Sequence, residues 1–285
     1  MNLLSSWIFW VIIYLISGVI FAQTFKKVNR NMKNASLLTV LLEIYTAIIS
    51  LIFIILFPLK ISTSLYTYLI LFVVMIIYAV TDRLNIEARY GLQPSTFSML
   101  KQLSTVFIII FGIILLKEKI IIKKVIGASI IIFANILLAF NNGKLEINKY
   151  FLMSIISNIL FAIAMIINVN IASEFNIAIY TFMTVFFPAI FIIVAGKVKI
   201  KDLKEEFNLY NKKEFLFVAL MWCLMLISSV KAYEFGEVVV VASFLALTSI
   251  LNSIIELIFN HDKKQFIKKL VISILIIIGI ILVKI

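Results

Sequence analysis

The apolar residues of this chain neither alternate with polar ones nor recur every three or four positions. They form nearly unbroken runs, separated by brief polar breaks. A run of about 20 residues lets a helix cross the roughly 30 Å hydrocarbon layer of a bilayer. The runs lie at 3–22, 35–57, 65–84, 94–116, 120–140, 150–172, 177–195, 215–235, 238–259 and 266–283. They predict an all-α integral membrane protein with ten transmembrane helices. The longest break lies near 197–214, which leaves no room for a separate soluble domain, so any function must sit inside the bundle. The first run has neither a basic leader nor a small-residue cleavage site and is expected to stay as a helix rather than be cleaved as a signal peptide.

Composition strengthens this picture. Hydrophobic residues make up 64% of the chain and charged ones 14%, with a mean hydropathy of +1.16, too little polar surface to cover a soluble globule. The net charge of +12 comes largely from lysines at run ends, where headgroups anchor them. That makes membrane lipid the expected partner and excludes nucleic acid. Most Lys and Arg residues follow odd-numbered runs, so the positive-inside rule puts both termini outside. Cys223 stands alone in the sequence and forms no intrachain disulfide.

A shift of 145 residues lays Gly91 on Gly236, Ser98 on Ser243, Leu100 on Leu245, Ser104 on Ser249 and Lys123-Lys124 on Lys268-Lys269, and it brings all ten runs into register. The chain therefore reads as two units, 1–142 and 145–285. Five spans is an odd number, so the second unit enters the membrane from the opposite side, giving two inverted five-helix repeats.

The segment "YGLQPSTFSMLKQLSTVFIIIFGIILLKEKIIIKKVIGASIIIFANILLAF", residues 90–140, resembles the fourth and fifth helices of the drug/metabolite transporter superfamily, particularly its EamA-like transporters. Glu118 stands at the place of that family's terminal acidic residue and Gly127 at that of the following glycine. The segment "AYEFGEVVVVASFLALTSILNSIIELIF", residues 232–259, is similar to the eighth and ninth helices. The second half carries Asn260, His261 and Asp262 where that family commonly has a glutamate, and the only proline of the fourth run is Pro94, at its start. The resemblance implies a carrier of small metabolites, amino acids or exported solutes in the cytoplasmic membrane. It also implies cytoplasmic termini, opposite to what the lysines give.

Ionisable groups inside spans cost about 2.5–3.5 kcal/mol each at a helix centre and usually face a cavity or a partner. Lys101 lies eight residues into its run, about 10–12 Å along the axis. Either it snorkels to the headgroups or it serves as a fixed positive charge for an anionic substrate group. Pro94, Ser98, Lys101 and Thr105 recur at helical spacing, with Gln102 beside them, and Ser249, Asn252, Ser253 and Glu256 share one face of the ninth run. These two stripes are expected to be facing walls of one central cavity, although small Ser residues also serve close helix packing. Glu43 either pairs with a cation such as Lys101, or carries a proton through the cycle, or makes a helix–helix hydrogen bond. Lys231, Glu234 and Glu237 read as an interfacial cluster. Trp10, Tyr14 and Ser17 on the first run and Ser154, Ser157 and Asn158 on the sixth are further wall candidates.

Enzymatic motifs are missing. The one histidine, His261, cannot build a multi-His metal site, and the chain has no GxSxG, GxxxxGK[ST] or HExxH sequence. The expected function is secondary transport of a small solute by alternating access, with no cofactor, with proton or ion coupling at Glu43, and as a monomer or homodimer. A lipid flippase of the same fold is the alternative, and an intramembrane enzyme using Glu43 or Glu256 a more distant one.

Overall fold

The computed structural model describes residues 6–116, 121–141, 144–145, 147–167, 171–236, 241 and 244–284. They form helices α1 (Trp7–Asn29), α2 (Ala35–Ile52), α3 (Leu65–Gly91), α4 (Pro94–Lys101), α5 (Leu103–Leu116), α6 (Ile122–Ala139), α7 (Lys149–Ile167), α8 (Ile177–Ala195), α9 (Ile200–Phe207), α10 (Lys212–Phe235), α11 (Thr248–Asn260) and α12 (Lys263–Lys284). A two-residue antiparallel pair, Phe140–Asn141 with Lys144–Leu145, is the only sheet among the described residues.

Eight segments are long and apolar enough to cross a membrane: α1, α2 with the 3-10 turn that follows it, α3, α4 together with α5, α7, α8, α10 and α12. The chain is an all-α, multi-pass membrane protein. Between these segments, α6 has 18 residues and α11 has 13.

Helix ends follow local chemistry. The side chains of Asn34, Asn176 and Asn211 accept backbone N–H groups in the first turns of α2, α8 and α10, as N-caps do. Pro94 opens α4, where its missing N–H costs nothing. The third apolar run ends at 84, yet α3 continues to Gly91, about two further turns. Its end is held from outside: the Lys26 ammonium on α1 donates to the carbonyls of Arg89, Tyr90 and Leu92 at 3.0, 2.8 and 2.8 Å. A cation at a helix C-terminus satisfies carbonyls that lack an intrahelical partner and complements the dipole. Lys26 therefore belongs to the bundle and not to a loop.

The helices pack in antiparallel pairs. Along α1 and α10, Trp7 meets Gly236 and Gly18 meets Met225. Along α3 and α7, Asn85 meets Ser157 and Gly91 meets Tyr150. In α4 and α11, Ser95 meets Glu256 and Ser98 meets Asn252. In α6 and α12, a Cβ on Gly127 would stand 2.5 Å from the Gly279 carbonyl oxygen, and one on Gly279 would stand 2.8 Å from that of Gly127. Those two backbones touch, as small residues allow in membrane helices. A fifth close pair joins α2 and α8.

Candidate functional site

The continuation of α3 creates the site. Asp82, Asn85 and Arg89 stand at i, i+3 and i+7, on one face of that helix. Asp82 interacts electrostatically with Glu43 on α2, with Lys101 on α4 and with Arg89 a turn or two along its own helix. Two acids and two bases thus meet within a bundle of apolar helices. Asn85 accepts a hydrogen bond from Ser157 on α7 at 2.7 Å, and Tyr14 on α1 neighbours Arg89.

Each charged group has a distinct setting. Glu43 has no exposed surface, and neither of its carboxyl oxygens has a hydrogen-bond partner among the described residues. Lys101 places its ammonium 3.9 Å from the centre of the Phe161 ring on α7. The Arg89 guanidinium lies between two rings, 5.0 Å from that of Phe21 and 3.9 Å from that of Phe97. Cations over ring faces are attracted by the quadrupole without being neutralised, so both keep their charge available to an anion. Lys101 thus points to an aromatic residue of a neighbouring helix.

The fourth span is interrupted beside Lys101. The helix breaks at Gln102, whose N–H bonds the Met99 carbonyl at 3.1 Å, while the Ser104 hydroxyl takes the Lys101 carbonyl at 2.7 Å. The ninth apolar run breaks in the same way: the Leu247 N–H bonds the Phe244 carbonyl at 3.0 Å and the Ser249 hydroxyl bonds the Ala246 carbonyl at 2.9 Å. Each of these four positions has its counterpart at the offset of 145 residues. A serine side chain that takes an i−3 carbonyl competes with the backbone ladder and helps to open it.

Around this centre the predicted residues divide into two groups. Gln23 donates to the Asn252 side-chain oxygen at 2.9 Å, and Asn252 donates to the Ser98 hydroxyl at 3.1 Å, a relay across α1, α11 and α4. Gln102 lies within 3.4 Å of the Ser98 carbonyl. Thr105 is half-buried one turn beyond Lys101. Asn158 is buried and donates to the Leu100 carbonyl at 2.8 Å, tying α7 to α4 just before the break.

Glu256 belongs to a separate cluster. Its carboxylate accepts the Ser95 N–H at 2.8 Å and the Ser95 hydroxyl, and it meets the Lys269 ammonium at 2.6 Å; Lys269 also bonds Gln93. Glu256 therefore caps α4 and holds the ends of α4, α11 and α12 together. Glu43 accepts no hydrogen bond from Lys101, which faces Asp82 instead. Ser17 hydrogen-bonds its own helix, and Lys231 pairs with Glu234 at 2.7 Å beside Phe57. Glu118, Glu237 and Ser243 lie outside the described residues.

Sequence reasoning missed Asp82, Asn85, Arg89, Ser95 and Lys269. The signal for the first three was their helical spacing, which was hidden because the apolar run ends before they are complete. A scan against protein-family models gives no match for this chain, and a search of curated proteins likewise gives none.

Proposed function

We propose that the chain is a secondary carrier that moves a small solute with an anionic group, such as an amino acid or organic anion, by alternating access. The observation that carries this reading is the charged cluster of Glu43, Asp82, Arg89 and Lys101 inside the bundle, next to a break in the helix that bears Lys101. Interrupted helices at corresponding places in two halves are the pattern by which membrane carriers expose backbone groups and build sites at mid-depth.

In this reading α6 and α11 complete ten spans, which form two inverted five-helix repeats. The pairing supports it. Exchanging the halves turns α1 with α10 into α7 with α3, and it returns α2 with α8, α4 with α11 and α6 with α12 to themselves. Any constant offset leaves the sum of two partner numbers unchanged. Trp7 with Gly236 and Gly18 with Met225 share one sum, and Asn85 with Ser157 matches it to within one. This symmetry also favours the resemblance to EamA-like members of the drug/metabolite transporter superfamily and a place in the cytoplasmic membrane. No chemistry on the substrate is part of the proposal.

The test is a thermal-shift screen of purified protein against amino acids, organic anions, sugars, nucleosides and amines, followed by flux of each hit into proteoliposomes. Net movement of a small solute is the expected result. Movement of a fluorescent lipid between leaflets without any solute flux would favour the flippase, and product formation without net movement would favour an enzyme.

A further inference from the structure

We propose that Glu43 and Asp82 form one proton-binding pair, and that an anionic group arriving at Lys101 and Arg89 draws a proton onto Asp82, so that anion and proton occupy the site together. The use of the pair in transport rests on the carrier reading; the pair itself does not.

Glu43 is buried with no donor to either oxygen among the described residues. The hydroxyls one turn to either side cannot supply one: Thr39 donates to the Ala35 carbonyl at 2.6 Å and Thr46 to that of Ala219 at 3.4 Å. A carboxylate stripped of water and given no donor is not stable as an anion, whereas a carboxylic acid beside a carboxylate has an acceptor for its proton. Asp82 is that carboxylate, and it is the charged group that α3 presents to Glu43. Asp82 in turn faces Lys101 from α4, Arg89 and Asn85 from its own helix, and Glu43 from α2, with Tyr14 on α1 behind Arg89.

The charges then balance over a cycle. With one proton on the acid pair, the empty cluster holds one negative and two positive groups. An anion that takes Lys101 and Arg89 as its partners leaves Asp82 without counter-ions next to Glu43, and a second proton restores the original total. The cluster keeps the same charge whether empty or loaded. Transport of one singly charged anion with one proton is therefore electroneutral.

Infrared titration of the purified, detergent-solubilised protein tests the pair without a known substrate, because Lys101→Met removes the positive charge as a bound anion would. The expected wild-type spectrum at neutral pH has one protonated-carboxyl band, lost in Glu43→Gln and shifted in Asp82→Asn, since two coupled groups share one titration. Lys101→Met should gain a second such band that is absent from Lys101→Met/Asp82→Asn, while Lys101→Arg keeps the wild-type spectrum. A band indifferent to Asp82→Asn, or a Lys101→Met spectrum identical to wild type, overturns the inference. Should Lys101→Met not fold, the Asp82→Asn spectrum decides alone. Failure of the carrier reading shows elsewhere, as absence of flux in proteoliposomes for every hit of the ligand screen.

Discussion

The Lys269 ammonium stands 2.6 Å from a Glu256 carboxylate oxygen, and the Ser95 N–H reaches the other oxygen at 2.8 Å. One carboxylate thereby fastens the last turn or two of α11, the first turns of α12 and the start of α4. Breaking a buried ion pair by removing one partner costs about 3–5 kcal/mol, because the other charge is left uncompensated. Glu256→Gln and Lys269→Met should each lower the melting temperature in detergent, and the double variant should lose less than the two losses combined. Strict additivity would mean that the two groups are not coupled.

Lys101→Met should abolish solute flux while leaving expression and the elution profile on gel filtration unchanged, because the ammonium contributes a charge above the Phe161 ring and anchors no other helix by hydrogen bonds among the described residues. Lys101→Arg should retain part of the flux, since the charge survives in a different shape. Undiminished uptake by Lys101→Met would remove the residue from the mechanism.

The glycines of α6 and α12 offer a contrast with Gly18. A Cβ at Gly127 meets backbone atoms at 2.5 and 2.7 Å, whereas one at Gly18 meets the flexible Met225 sulfur at 3.4 Å. Gly127→Leu should destabilise by at least the roughly 1–3 kcal/mol typical of overpacking, and Gly18→Ala should be close to neutral. Thermal unfolding of the two variants side by side measures the difference.

Outside the spans, Glu174 accepts hydrogen bonds from Ser62 at 2.5 Å and Thr67 at 2.9 Å, joining the turn before α8 to the loop before α3 and to the first turn of α3. Those bonds hold its carboxyl below the usual glutamate range. A group whose folded value is depressed contributes its stability at neutral pH and loses it as pH falls through that folded value. Protease cleavage near 171–176 should rise on acidification in wild type and be independent of pH over that window in Glu174→Gln. An equal acid response in Glu174→Gln would place the effect on another group.

The apolar runs made the spans legible, because backbone groups in lipid must be satisfied within the helix and a long apolar segment has few other options. The stripe Ser249, Asn252, Ser253 and Glu256 was legible as one face, and it is buried against α4. Asp82, Asn85 and Arg89 were not, since the positions where a run stops being apolar look the same whether the chain leaves the bilayer or turns its polar face inward. The partner of Lys101 could not be read either. Nothing in the spacing of Glu43 and Lys101 says that Asp82 comes between them. Lys269 resembled another headgroup lysine, and only the fold shows it to be 4% exposed.

The contact of Lys26 with the end of α3 separates two roles that one basic residue usually fills together. While the chain is being inserted and α3 has not yet docked, Lys26 contributes to the choice of orientation along with its neighbours Lys27, Arg30 and Lys33. Once α3 is seated, three carbonyls claim its ammonium, and it no longer serves to anchor α1 at the bilayer surface. The charges that steer biogenesis and those that later hold the finished protein in place are thus different sets.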